Sequence, residues 1–200
     1  MKIQDAFGDS ENLPENIREI FVWLCQDVAS LRDKWDFYLG LYKDDETTAL
    51  LSDCARSSFQ IIEESLRADI TMTICRLSDL PSTFKKKDNL SIPKLCSYFP
   101  QDESLKKNET AFLDACMPIR LLRNKQVGHN DLNTRIAPDK FPLLGISKTQ
   151  IDEMIGLAES ILNKIYHIYN PNSELGFGIP LHIGGAEDLI NWLKKSTSML

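Results

Sequence analysis

Arg123-Asn124, followed after four residues by His129, places a guanidinium, a carboxamide and an imidazole together where an apolar helix runs out. A guanidinium keeps its charge at any physiological pH and grips a phosphate through a planar fork. An imidazole, with an ordinary pKa of about 6.5, moves protons near neutrality. Cleaving RNA without a metal needs three things. One group must take the 2′-OH proton, another must protonate the leaving 5′-oxygen, and positive charge is needed where the phosphorane develops. His129 suits the proton transfers, Arg123 suits the phosphate, and Asn124 can donate to a phosphate oxygen or orient His129. The negative end of the preceding helix favours the imidazolium, the form required of a general acid. The plainer alternative makes His129 a C-terminal cap bonding the last helical carbonyls, with Arg123 paired to an acid on a neighbouring helix.

Several neighbours extend the pattern. Arg120 precedes Arg123 by one turn, so both can lie on one helix face and widen a phosphate-binding surface; a salt-bridged Arg120 is the alternative. Arg76 and Asp79 are spaced for an i,i+3 pair. Asp131 can orient the imidazole or cap its loop. Lys85, Lys86 and Lys87 suit backbone steering of RNA, although a lysine run in a loop also serves as a soluble turn. Gly176-Phe177-Gly178 and Gly184-Gly185 lack the preceding strand and following Lys-Ser/Thr of a phosphate-cradling loop. Trp23 and Trp35 read as core aromatics rather than base-stacking platforms. No metal or other cofactor is expected.

The elements that must position these residues follow from periodicity. Leu51, Ala55, Phe59, Ile62, Leu66, Ile70, Ile74 and Leu77 recur at steps of three or four, which predicts one long helix from about Asp45 to Asp79. Upstream, Pro14 suits a first helical position, and Ile17, Phe21, Leu24, Val28, Leu31, Trp35, Tyr38 and Tyr42 continue a second stripe. A short helix is expected around Pro93 to Tyr98. Another is expected from about Glu103 through Val127, with Pro118 as a kink and Gly128 as the stop. Residues 130–146 read as a loop. Ser147-Lys148-Thr149-Gln150 then forms a capping box opening a helix that carries Ile151, Ile155, Ala158, Ile161, Leu162 and Ile165. Residues 171–185 are rich in Gly and Pro and precede a final helix, roughly Ala186 to Lys195. Leu175 to Ile183 offers at most a small strand pair. The class is all-α: an antiparallel four- or five-helix bundle over residues 1–170, with a short C-terminal extension over 171–200.

With 42% hydrophobic residues among 200, the chain can bury a sizeable core. Neither a signal-peptide run nor a stretch long enough to span a bilayer is present, which predicts a cytoplasmic protein with no membrane partner. Cys25, Cys54, Cys75, Cys96 and Cys116 lack the paired spacing of a zinc site and read as reduced helix residues. A net charge of −6 argues against a general nucleic-acid coat protein, yet the charge is uneven. Residues 1–64 hold 6 basic and 14 acidic side chains, 65–140 hold 13 and 9, and 141–200 hold 4 and 6. The middle third is where an anionic ligand would be drawn.

The order of several segments on an all-α chain is similar to that of the HEPN superfamily, and within it resembles the abortive-phage-infection U branch. These segments are Trp35-Asp36-Phe37-Tyr38, Phe59-Gln60-Ile61-Ile62, Ile74-Cys75-Arg76-Leu77-Ser78-Asp79, Asn89-Leu90-Ser91-Ile92, and Arg123-Asn124-Lys125 with His129 and Asp131. The resemblance covers roughly residues 15–170. It implies a helical bundle that often dimerises so that two motifs face one cleft. Active members are metal-independent RNases, and others are binding or regulatory modules. On that resemblance Arg123, Asn124 and His129 are the catalytic candidates. Arg120, Lys125, Asp131, Arg76 and Asp79 are the RNA-binding or supporting ones. The expected partners are RNA, a second copy of the chain, and an antitoxin or regulatory protein. The first expectation is a homodimeric endoribonuclease acting in prokaryotic anti-phage defence. The second is a catalytically silent HEPN module that binds a partner protein or a nucleotide.

Overall fold

Pro14, with φ −53° and ψ 140°, starts the first helix from just outside it: its carbonyl accepts from the amides of Ile17 and Arg18. In the computed structural model, which describes residues 10–82, 87–124, 145–177 and 184–197, helix α1 then runs Glu15–Leu41. Its stripe buries Ile17, Phe21, Leu24, Val28, Leu31 and Trp35, as the spacing predicts, whereas Tyr38 and Tyr42 at its end are half-buried and Trp23, expected in the core, lies off the stripe and is exposed. Asp44 accepts from the Thr47 amide and opens α2, Asp45–Leu77.

The stripe of α2 behaves differently from its periodicity. Leu51, Ile70, Ile74 and Leu77 are buried, whereas Phe59 and Leu66 are half-buried and Ala55 and Ile62 are exposed. Ala55 leaves helical geometry, with φ −164° and ψ 68°, so the faces before and after it are rotated out of register. Beyond that break the middle of α2 meets the aromatic end of α1, where Tyr42 Oη donates to the Phe59 carbonyl.

Ser91 caps the short α3, Ile92–Cys96, and Asp102 caps α4, Glu103–Leu122. The expected Pro118 lies inside α4, which continues through it, and Arg123 and Asn124 extend the helix in a π turn. Residues 125–127, expected to complete this helix, lie outside the described residues. The predicted capping box forms at both ends, Ser147 Oγ accepting from the Gln150 amide and Gln150 Oε1 from the Ser147 amide; it opens α5, Lys148–Tyr169. A sixth helix, α6, covers Ala186–Thr197.

Helices α1, α2, α4 and α5 form a ring in which each packs on two neighbours. Phe21 stacks on Tyr166 with ring centroids 6.2 Å apart, and Phe112, Cys116 and Ile119 of α4 join the same core. Across its rim, Arg32 of α1 grips Glu159 of α5 with two bonds of 2.9 and 3.1 Å and Asp152 with a third of 3.0 Å. Trp35 Nε1 donates to the same Asp152 oxygen at 2.9 Å. Among the described residues there is no strand. Leu175 and Phe177, expected in a strand pair, are buried coil against the main core, with the Leu175 amide on Asn163 Oδ1; residues 178–183 lie outside the described residues.

Helix α6 docks by a separate cluster: Ala186 and Ile190 pack against Leu41 and Leu51. The approach is close enough that a Cβ on Gly40 would sit 2.5 Å from the Ala186 Cβ. Gly40→Ala is therefore expected to speed amide hydrogen exchange across residues 186–197, and Ala186→Gly in the same chain to slow it again. Unchanged exchange in Gly40→Ala would contradict this packing. Ser147→Ala is expected to lower stability by about 1 kcal/mol, read as a drop in denaturant midpoint.

Candidate functional site at the end of helix α4

Arg123 and Asn124 stand where α4 leaves the bundle beside the C-terminal end of α2. Arg123 is half-buried and Asn124 exposed, and Arg123 Nε donates to Asn124 Oδ1 at 3.0 Å. That bond orients the guanidinium and turns the carboxamide's NH2 away from it. Among the described residues no carboxylate pairs with Arg123, so the plainer reading of a neutralised arginine finds no support there. Lys125, His129 and Asp131, as well as Lys85 and Lys86, lie outside the described residues; Lys87 is exposed.

Arg120 takes the other course. Its Nη1 lies 3.1 Å from Asp79 Oδ1, 2.8 Å from the Ser78 carbonyl, 3.0 Å from Ser78 Oγ and 3.2 Å from the Cys75 carbonyl. The guanidinium therefore caps the end of α2, where the helix dipole concentrates negative charge. Arg76 does not form the expected pair with Asp79. It reaches back one turn to Thr73 Oγ1 at 3.1 Å, because Asp79, past the last helical residue, turns to Arg120 instead.

Beneath these cations lie Cys75 and Cys116, both fully buried. Burial raises the Cys75 thiol, with Arg123 and Arg120 opposing the rise, which places both guanidiniums near it. Burial pushes Cys116 up to about 12 despite the Ser78 hydroxyl beside it, and Cys96 is pushed up to about 12 likewise. Neither is a nucleophile at neutral pH, in line with the sequence reading. Met117 and Leu121 are 63% and 55% exposed and lead along α4 toward Asn124.

The family model described as AbiU2, a HEPN family, matches residues 14–178. The chain belongs to this HEPN family. The match extends slightly beyond the expected 15–170 and spans the whole ring of four helices, leaving α6 outside. No curated protein and no solved structure matches the chain. The HEPN bundle of this chain thus carries Arg123-Asn124 at a surface helix end. Among the described residues, no helix is long and apolar enough to cross a membrane.

Two consequences can be measured. In the native protein half-buried Cys54 should react first with an aromatic disulfide reagent, with Cys25, Cys75, Cys96 and Cys116 reacting only on unfolding. Folding holds the buried thiols protonated, so the stability they confer is complete below the ordinary thiol value of 9.0 and is lost as pH rises toward about 12. A melting temperature that stays level from pH 9 to 12 would contradict that coupling.

Proposed function

We propose that this HEPN protein is a metal-independent endoribonuclease, acting in the cytoplasm as a homodimer in prokaryotic anti-phage defence. The observation that carries the reading is the state of Arg123: a surface guanidinium oriented by Asn124 and paired with no acid among the described residues. A planar fork of this kind is what a phosphate between two bases requires. It stands in the locally basic third of an otherwise acidic chain.

In this mechanism a phosphodiester lies across Arg123, and Asn124 donates to a non-bridging oxygen. One His129 removes the 2′-OH proton as the 2′-oxygen attacks phosphorus. A second imidazole protonates the departing 5′-oxygen. Each protomer supplies a single motif histidine, so two protomers supply the pair and also double the positive charge at the phosphate. The bond formed is 2′-O–P and the bond broken is P–O5′, so the products are a 2′,3′-cyclic phosphate and a 5′-hydroxyl. An antitoxin or regulatory protein would cover the cleft until infection. The second reading, a silent module that binds a partner protein or a nucleotide, draws on the net charge of −6, which opposes RNA binding.

Cleavage of RNA in EDTA separates the two. Wild type is expected to cleave, with Arg123→Ala lowering the rate about 10²–10³-fold and His129→Ala about 10²–10⁴-fold at unchanged melting temperature. Equal activity in all three preparations would place the cleavage at another site or in a contaminant and overturn the nuclease reading of Arg123 and His129, and products bearing 5′-phosphates would overturn attack by the 2′-OH.

A further inference from the structure

We infer that Arg120 is a positioning residue, which fixes the last turn of α4 so that Arg123 and Asn124 meet substrate, and is not itself a phosphate ligand. The inference rests on the nuclease reading of Arg123. Sequence spacing places Arg120 and Arg123 within one turn and suggests a shared phosphate surface. The geometry divides them.

Nη1 of Arg120 faces four oxygens within 3.2 Å, all contributed by residues 75–79 at the end of α2. Two are main-chain carbonyls at the negative end of a 33-residue helix, and one belongs to the Asp79 carboxylate. A phosphate approaching Arg120 would have to displace that carboxylate or share a cation already offset. Arg123 has no such partner among the described residues.

The same turn is fastened from a second direction. Cys75 Sγ donates to the Ile119 carbonyl at 3.7 Å. Ile119 and Arg120 are the residues whose carbonyls receive the Arg123 amide. Two contacts with the end of α2, one to the Ile119 carbonyl and one through the Arg120 side chain, therefore hold the two residues from whose carbonyls Arg123 hangs. Ser78 is drawn in as well: its hydroxyl donates to the Cys75 carbonyl at 3.1 Å while it accepts from Arg120 at 3.0 Å. Losing the guanidinium leaves the end of α4 held by the weaker thiol contact, next to the point where the helix already widens into a π turn. Displacement of a phosphate ligand by about 1 Å can cost about 10²-fold in rate.

The test compares Arg120→Gln, Arg120→Lys and Asp79→Asn with Arg123→Ala in the full-length protein, using a single-stranded RNA oligonucleotide and hydrogen exchange. The Asp79 variant is nearly isosteric and serves if Arg120→Gln does not fold. Expected for Arg120→Gln is a kcat about 10–100-fold lower, KM within about twofold of wild type, and faster exchange confined to the amides of Ile119 to Asn124. Arg120→Lys should recover part of kcat. The salt dependence of RNA binding discriminates most sharply: removing one cation from the RNA phosphates lowers the log–log slope by about 0.7. Arg123→Ala should show that decrease and Arg120→Gln should not.

A slope decrease in Arg120→Gln equal to that of Arg123→Ala overturns the inference and makes Arg120 a phosphate ligand. So does wild-type exchange at the end of α4 in both Arg120→Gln and Asp79→Asn. If wild type cleaves no RNA, the nuclease reading fails, and with it the role of positioning for RNA cleavage. Faster exchange at Ile119 to Asn124 would then report a latch of structure only.

Discussion

A single guanidinium on α4 closes the bundle at the end where the motif emerges. Arg120 gathers the last carbonyls of α2, the Ser78 hydroxyl and the Asp79 carboxylate around one nitrogen. Without that contact α2 would end in orphan carbonyls beside two fully buried thiols. With it, the last turn of α4 has a fixed bearing and Arg123 leaves the bundle along it. The two charges therefore serve different ends. One arginine is neutralised in fastening helices, and the next, a turn later, has no carboxylate partner among the described residues. Arg32 performs the same fastening elsewhere, tying α1 to α5 through Glu159 and Asp152.

What sequence could show of this fold was set by how local each cause is. The capping box at Ser147 and Gln150 spans four residues and is visible on sight. The stripes of α1 and α5 are single-period patterns, and their burial follows. The stripe of α2 is legible as helix but not as surface. A backbone break at Ala55 rotates one half against the other, which residue spacing does not encode. Arg32 carries no signal in the sequence, because its partners lie 120 and 127 residues away. Arg76 and Asp79 mislead for the opposite reason: closeness in sequence suggests a partner that a distant arginine takes.

At the site, the family could be read from the order of short segments, and the match over residues 14–178 bears that out. The roles within the site are less local. Arg120 and Arg123 are indistinguishable by residue type and spacing, and only the position of α2 separates them. Helix α6 lies outside both the family match and the main core. It leans on a cluster of its own, with Ala186 and Ile190 against Leu41 and Leu51 and the close Gly40–Ala186 approach. Lys194 adds only a solvent-facing pair to Glu46 at 3.0 Å.

In the proposed enzyme two protomers complete one cleft, each contributing an arginine and a histidine to the same phosphate. Mixing wild-type with His129→Ala protomers, after dissociation and reassociation, tests this most directly. A mixed dimer brings one imidazole to a reaction that uses two, so cleavage in EDTA is expected to fall as the square of the wild-type fraction. Mixed dimers, verified to form, that keep half the wild-type activity, so that cleavage falls only in proportion to the wild-type fraction, would contradict a shared cleft.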